Sequence, residues 1–286
     1  MIGGIPIYKP VLMVLGRPRL AKRGLSLAWH ALHHFFLPQF QARLMPRLRP
    51  VAVLGHPLDR QIPFQPREVR TYLGYMSFWL KTLHLLYDLL GQAALPHIRE
   101  SFDRACLLYR EAGGIYRRCQ STTTTRPNMP LNPYFVAIYL LDPHLHCIPS
   151  LHILLICYNC HSLAEVLRRR GRLDAEGLAA LREAERQAVR VIEAILLMKQ
   201  HSLLDIAPSL FLLTALLPGF GPRQVEEHVH ELFRCWQVPE PAKRSMRSCI
   251  LEGYRELERE LKAGKKCGHR EVILRFLARY TPVAVA

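Results

Sequence analysis

A histidine and an aspartate stand four residues apart in the segment H-S-L-L-D, residues 201–205. On a helix this spacing places both side chains on one face, where the carboxylate accepts the Nδ1 proton of the imidazole. The Nε2 atom is then free to act as a nucleophile or a base. The same pairing is common on helices by chance, and a buried, hydrogen-bonded histidine is the ordinary alternative.

A second segment with possible chemistry is C-I-P-S-L-H, residues 147–152. Pro149 predicts the start of a helix, because proline is favoured at the first helical position. The free backbone N–H groups of a first helical turn bind anions, and Ser150 adds a hydroxyl donor. His152 can donate a proton to a leaving oxygen beside such an anion. The alternative is an ordinary helix start with a buried histidine.

The third candidate is Arg126, which precedes Pro127 at the end of a threonine-rich segment. A guanidinium group can bind two phosphate oxygens with parallel hydrogen bonds. An arginine in a loop can equally be a solvated surface residue.

Taken in chain order, the three motifs Arg-Pro, Pro-Ser-x-His and His-x-x-x-Asp resemble the type-2 phosphatidic acid phosphatase superfamily. The chain is most similar to the branch whose central motif reads P-S-L-H, which includes lipid phosphatases and sphingolipid phosphotransferases. Further segments resemble the family over residues 50–220. They are P-L-D-R-Q-I-P-F (57–64), Y-L-G-Y-M-S-F-W (72–79), T-T-T-T-R-P (122–127) and K-Q-H-S-L-L-D-I (199–206).

The resemblance implies a role for each matching residue. His201 would attack phosphorus and become a phosphohistidine, Asp205 would orient it, and His152 would protonate the leaving group. The phosphoryl oxygens would be bound by Arg126, Ser150 and Lys199. The family is implied to use neither a metal nor another cofactor, because cations and backbone N–H groups neutralise the charge. The expected substrate is a lipid-like or other organic phosphate ester, which is hydrolysed or passes its phosphoryl group to an acceptor.

Two positions depart from the family pattern. The lysine that often stands seven residues before the arginine of Arg-Pro is Cys119 here, and the arginine that often stands six residues before the third-motif histidine is Ile195. Loss of both cations would weaken phosphate binding, although Lys199 can substitute for the second. A catalytically degenerate family member is therefore an alternative.

A different alternative is a metal-binding protein without catalysis. Cysteines and histidines crowd one short stretch: His144, His146, Cys147, Cys157, Cys160 and His161. The C-Y-N-C spacing is similar to that of zinc sites. Its expected position in the middle of a helix and the absence of a second C-x-x-C argue against such a site. Buried helical cysteines are also common as small core residues.

The charge of the chain restricts its partners. With 39 Lys and Arg against 23 Asp and Glu, the formal net charge is +16, which favours anionic partners. We expect no nucleic acid, because no recognition motif accompanies the charge. The basic segment 168–172 fits an anionic membrane surface. The eight cysteines are expected to be free thiols, since a chain of this length and apolarity needs no disulfide framework.

The elements that position these residues are predicted to be helices. The periodicity predicts an all-α bundle with helices near 68–92, 97–116, 149–167, 175–205 and 208–217, and one further helix near 25–37. The bundle type implied by the resemblance is that of the phosphatidic acid phosphatases. Residues 119–133 are predicted to form a loop.

The predicted organisation has three parts. Residues 1–56 form a Pro- and Arg-rich segment, residues 57–221 form the catalytic bundle, and residues 222–286 form a polar helical appendage with helices at 223–237, 241–263 and 269–280. Three stretches, 72–95, 134–160 and 188–220, approach the length of a spanning helix but carry polar residues. We expect the protein to be located in the inner (cytoplasmic) membrane or peripheral to it.

Overall fold

Helices dominate the computed structural model, which describes residues 2–45, 49–124, 126–127, 129–264 and 267–281. Helix accounts for 74% of the chain and strand for 3%, which confirms the all-α prediction. The α-helices are α1 (Tyr8–Leu15), α2 (Pro18–Ala31), α3 (Leu37–Leu44), α4 (Val69–Leu73), α5 (Tyr75–Leu90), α6 (Leu95–Tyr116), α7 (Pro133–Leu141), α8 (Leu151–Arg169), α9 (Ala175–Leu197), α10 (Ile206–Leu216), α11 (Pro222–Glu231), α12 (Glu240–Ala263) and α13 (His269–Ala278).

Helix α8 is the central element, because all ten residues of 151–160 are buried. Its neighbour α9 begins after Asp174, whose side chain accepts a hydrogen bond from the Gly177 N–H at 2.9 Å and so caps the helix. Ala180, Ala184 and Ala188 line the buried face of α9 at four-residue spacing. These small side chains let α9 pack closely on α8.

Several predicted helix ends lie elsewhere in the structure. The helix predicted at 149–167 begins at Leu151, with Ser150 as its N-cap, so Pro149 precedes the helix rather than opening it. The helix predicted at 175–205 ends at Leu197 and is followed by a short 3-10 turn, Leu203–Asp205. The chain leaves helical geometry at Lys199, whose φ is +54°. The predicted helix 25–37 is part of a longer run formed by α2, a π-helical turn at Leu32–Phe36 and α3.

Two short strands pair in parallel, β1 (Val51–Leu54) and β2 (Gln120–Thr123), with Val51 opposite Gln120. The prediction of a loop throughout 119–133 is wrong at β2, because four residues are too few to give a recognisable alternating pattern. Thr125 and Asn128 of that predicted loop lie outside the described residues.

One hydrophobic core includes residues from all three predicted parts of the chain, such as Leu20, Phe102, Leu154 and Tyr254. The C-terminal helix α12 packs against α10, where the Tyr254 hydroxyl lies 3.1 Å from the hydroxyl of Thr214. The C-terminal helices are polar on their outer faces and bury one apolar face each.

Within the described ranges, no helix combines the length and the apolar character that crossing a bilayer requires.

His146, in the loop before α8, is a buried histidine whose burial makes the stability of the fold depend on pH. Its ring stacks on Tyr116 with centroids 3.9 Å apart, and neither ring nitrogen has a hydrogen-bond partner among the described residues. Burial lowers the pKa of His146 well below 6.5. The unfolded chain therefore binds a proton that the folded chain excludes, and stability falls as the pH falls below about 6.5.

Replacing His146 by phenylalanine should stabilise the protein. We expect the free energy of unfolding to rise by about 1 kcal/mol at pH 7, because two unpartnered polar atoms are removed. At pH 5 the gain should exceed that value by about 2 kcal/mol, at about 1.4 kcal/mol per pH unit below 6.5. Denaturant unfolding at both pH values measures this. The exposed His230→Phe, which removes no buried polar atom, should not stabilise the protein at pH 7. An equal gain at pH 7 and pH 5 for His146→Phe would contradict the explanation.

Candidate active site

His201 and Asp205 form a contact, although they do not share a helix. His201 Nδ1 lies 2.7 Å from Asp205 Oδ2. Ser202 caps the 3-10 turn that contains Asp205, and the Ser202 N–H donates to the same Oδ2 at 3.2 Å. The predicted explanation by helical spacing is therefore wrong, since a capped turn brings the two side chains together.

Asp59 fastens this turn to a distant part of the chain. Its Oδ2 accepts hydrogen bonds from the Ser202 hydroxyl at 2.6 Å and from the His56 N–H at 2.8 Å. Its Oδ1 accepts from the Leu203 N–H at 2.9 Å. The aspartate of the P-L-D segment thus positions Ser202 and Leu203, which lie between His201 and Asp205 in the chain.

His152 is the second residue of α8, and its ring lies against Tyr72 and Tyr75 with centroid distances of 4.7 and 4.3 Å. The ring centroid of His201 is 5.6 Å from that of His152, and the ring planes are inclined by 73°. The two imidazoles that the sequence predicts as acid and nucleophile are therefore neighbours.

Ser150, the N-cap of α8, is fully buried, and its hydroxyl has no hydrogen-bond partner among the described residues. Its backbone N–H donates to the Ser209 hydroxyl at 2.8 Å, and that hydroxyl donates to the Asp205 carbonyl at 2.7 Å. The start of α8 is thereby joined to the start of α10. A buried hydroxyl without a partner indicates a position where a further polar group can bind.

The loop before α8 is fixed by two other elements. Ser121 of β2 accepts the Ile148 N–H with its hydroxyl at 2.7 Å. The Tyr116 hydroxyl, at the end of α6, donates to the Pro149 carbonyl. The short sheet and α6 thus hold Ser150 and His152 at their positions.

Arg126 reaches the residue next to His201. Its Nε donates to Gln200 Oε1 at 3.3 Å, and its Nη2 donates to the Asp142 carbonyl at 3.1 Å. The guanidinium lies over the Tyr139 ring, 4.7 Å from the centroid. Arg126 also lines a cavity of about 310 Å³ together with Gln120.

Comparisons with protein-family models, with curated proteins and with solved structures give no match.

The predicted phosphate ligand Lys199 has other partners in this structure. Its ammonium donates to the backbone carbonyls of Asp59 and Ile62, and so it holds the turn at Pro57–Gln61. Its contact with phosphate stays a prediction. Cys119 and Ile195 are both buried, with Ile195 fully inside the core.

Burial determines the charge state of both histidines. It lowers the pKa of His201 to about 4 and the pKa of His152 to about 3, although the Asp142 carboxylate opposes both shifts. Both imidazoles are therefore neutral at neutral pH. A neutral His201 has the lone pair that a nucleophile needs, whereas His152 lacks the proton that an acid needs.

Asp205 is fully buried, and burial raises its pKa well above the ordinary value. Its Oδ1 has no hydrogen-bond partner among the described residues, while Oδ2 accepts from the Ser202 N–H. That N–H favours the carboxylate, which then accepts the Nδ1 proton of His201 as well. A cationic or hydrogen-bonding ligand at Oδ1 would favour the same state.

The cysteines and histidines predicted as an alternative metal site are only partly brought together: His144 Nε2 lies 3.7 Å from Cys147 Sγ, whereas Cys160 and His161 contact backbone carbonyls elsewhere. Cys160 Sγ lies 3.4 Å from the Ala184 carbonyl, and His161 Nε2 lies 3.4 Å from the Pro218 carbonyl. In the described part of the chain, the one group of three potential ligands is Cys147, His201 and Asp205, whose ligand atoms lie within 4.8 Å of one another.

Sequence reasoning missed several residues that surround the site. Tyr72 and Tyr75 lie in the quoted Y-L-G-Y segment, Gln200 lies in K-Q-H, and Asp59 lies in P-L-D. These motifs therefore contained the signal, since residues within a recognised motif are candidates for the same site. Asp142 precedes Pro143, and no pattern in the sequence singles it out.

Proposed function

We propose that this protein is a metal-independent phosphatase or phosphotransferase of the phosphatidic acid phosphatase type, acting on a lipid-like or other organic phosphate ester. The observation that carries the proposal is the His201–Asp205 hydrogen bond of 2.7 Å with the His152 ring 5.6 Å away. A carboxylate-oriented imidazole beside a second imidazole supplies a nucleophile and an acid for one phosphoryl group.

The proposed reaction has two steps. His201 Nε2 attacks phosphorus, the ester P–O bond breaks, and the leaving oxygen takes the electron pair together with a proton from His152. Water or an alcohol then attacks the phosphohistidine, His152 accepts the proton of the attacking oxygen, and His201 is regenerated. Asp205 stabilises the positive charge that develops on His201.

The charge of the phosphoryl oxygens is balanced by Arg126, next to Gln200, and by groups at the start of α8. Arg126 supplies a cation, while Ser150 and the first N–H groups of the helix supply hydrogen bonds. Lys199 can contribute only by exchanging its two carbonyl partners for phosphate.

Binding of the substrate would itself cause His152 to take up the proton that it needs to act as the acid. In the free protein the pKa of His152 is about 3 because the ring is buried. A phosphate dianion next to the ring favours its charged form and raises this pKa. The proton on His152 is therefore expected only when a phosphate group is bound.

The assay is release of phosphate from a panel of phosphate esters in excess chelator, together with acid-labile labelling of the protein. We expect turnover and labelling by at least one ester, lipid-like esters included. Absence of both with every ester would favour a catalytically degenerate protein, which the uncharged side chains at Cys119 and Ile195 already support as the second candidate. Activity that chelator abolishes and zinc restores would overturn metal independence.

We further propose that the protein docks on an anionic lipid bilayer through α1 and α2. Leu12 and Leu15 of α1, and Leu25 and Trp29 of α2, are between 60% and 73% exposed. Residues 2–58 contain no Asp or Glu, and Lys9, Arg19 and Lys22 are exposed among these apolar side chains. An apolar helical stripe with basic neighbours and no acidic residue complements anionic headgroups and the acyl region beneath them.

The double variant Leu25→Ser/Trp29→Ser should weaken binding to vesicles that contain anionic lipid. We expect a loss of about tenfold or more, because two large apolar side chains no longer enter the bilayer. Vesicle sedimentation measures the effect. Leu178→Ser, on α9, is the matched control for an exposed leucine elsewhere. Equal binding by the double variant and the wild type, or binding that does not depend on anionic lipid, would contradict this docking surface.

A further inference from the structure

Cys147, His201 and Asp205 present a sulfur, a nitrogen and an oxygen ligand within 4.8 Å of one another. They come from separate places in the fold: the loop before α8, the segment after α9, and the 3-10 turn before α10. Thiolate, imidazole and carboxylate are the three side-chain ligands that zinc takes. Both Cys147 and Asp205 are buried, so a bound ion would be shielded from water.

His144 lies next to Cys147, outside the group of three whose ligand atoms are mutually within 4.8 Å. Its Nε2 lies 3.7 Å from Cys147 Sγ. Zinc–sulfur and zinc–nitrogen bonds of about 2.3 and 2.0 Å at a tetrahedral angle separate the two ligand atoms by about 3.5 Å. The observed spacing therefore fits two ligands of one zinc ion.

The surroundings of His144 suit a metal ligand. Its Nδ1 lies 3.0 Å from the Thr122 hydroxyl, which can accept the Nδ1 proton and orient the ring, as outer partners of metal-bound histidines do. Its Nε2 lies 2.6 Å from the Gln200 carbonyl, which is the partner that a metal ion would replace.

Asp205 supplies an independent sign of a ligand. Its Oδ1 is a buried carboxylate oxygen without a hydrogen-bond partner among the described residues. A buried oxygen of this kind is costly unless a donor or a cation satisfies it. An ion held by Cys147 and His201 would lie within reach of this carboxylate.

We propose that Cys147, His201 and Asp205 form a zinc site that inhibits the protein, and that the neighbouring His144 takes the fourth position when the ion binds. On binding, the Cys147 thiol releases its proton to solvent, and the thiolate and the carboxylate together balance the two charges of the ion. Because His201 is a ligand, the ion competes with phosphoryl transfer. The inhibitory effect rests on the proposed function, whereas the site itself does not.

The site is tested with Co²⁺, which gives a thiolate charge-transfer absorption when a cysteine is a ligand. We expect this absorption in the metal-free wild-type protein titrated with Co²⁺, and its loss in Cys147→Ser. His144→Gln, whose amide can still donate to the Gln200 carbonyl, should weaken Co²⁺ affinity by about tenfold or more. Cys157→Ser is the matched control, because Cys157 is a buried cysteine of α8 outside the group of ligands.

Inhibition is measured as the ratio of activity with Zn²⁺ to activity in chelator for each variant. Zinc should inhibit the wild type and Cys157→Ser, while Cys147→Ser should require at least tenfold more zinc. Absence of the thiolate absorption in the wild type, or its retention in Cys147→Ser, would overturn the site even if phosphatase activity is present. If the thiolate absorption were present but the protein had no activity in chelator, the metal site would be supported and the proposed function would be overturned.

Discussion

Replacing His201 by asparagine should abolish turnover and the acid-labile phosphoenzyme together. Asparagine keeps a polar side chain in the turn but has no nitrogen that can attack phosphorus, so no covalent intermediate forms. We expect kcat to fall by a factor on the order of 10⁴ or more, as for loss of an enzyme nucleophile. Phosphate release and labelling with the best substrate of the panel measure both effects.

Two further variants separate the nucleophile from its support. Asp205→Asn should leave weak activity and weak labelling, because it disturbs the tautomer of His201 without removing the nucleophile. His161→Asn, near the middle of α8, is the control for a histidine outside the site and should retain full activity. Labelling of His201→Asn at the wild-type level would exclude His201 as the phosphorylated residue.

The second large effect is expected from Asp59→Asn. The carboxylate accepts three hydrogen bonds, and an amide presents a donor to at least one of the same N–H or O–H groups. We expect the free energy of unfolding to fall by about 2–4 kcal/mol, because buried donors lose their acceptor. In addition, kcat should fall more than KM rises, since the turn that aligns His201 with Asp205 loosens.

Denaturant unfolding and steady-state kinetics test this on the same preparation. Asp174→Asn is the control, because Asp174 also accepts a backbone N–H but caps α9 at its other end. Because asparagine caps a helix about as well as aspartate does, that variant should leave both the stability and kcat close to their wild-type values. If Asp59→Asn lowered stability but left kcat at the wild-type value, Asp59 would be a purely structural residue.

The sequence predicts the helices well where the apolar pattern is long. The predicted helix 97–116 corresponds to α6, and the C-terminal predictions 241–263 and 269–280 correspond to α12 and α13. The end of α9 was predicted eight residues too late, because the pattern of apolar residues continues through Leu203 and Leu204. What ends the helix is local: the left-handed backbone of Lys199 and the capping side chain of Ser202.

The candidate site likewise has features that the sequence predicts and features that it does not. Its chemical groups are recognisable from residue types and motif order, and the structure brings His152 next to the His201–Asp205 pair. Its support is not recognisable, because the support depends on partners far apart in the chain. Asp59 binds Ser202, and β1 pairs with β2. Neither contact produces a repeating pattern of residue types from which it could be predicted.

The bond between Asp59 and Ser202 also has a consequence for synthesis of the protein, because 143 residues separate the two. At roughly 5–20 residues per second, Asp59 emerges from the ribosome on the order of ten seconds before its partner does. The acceptor of the Val53 N–H emerges later still, because it is the backbone carbonyl of Tyr280. Until Tyr280 has emerged, this edge of β1 is therefore unpaired and is open to pairing with other chains.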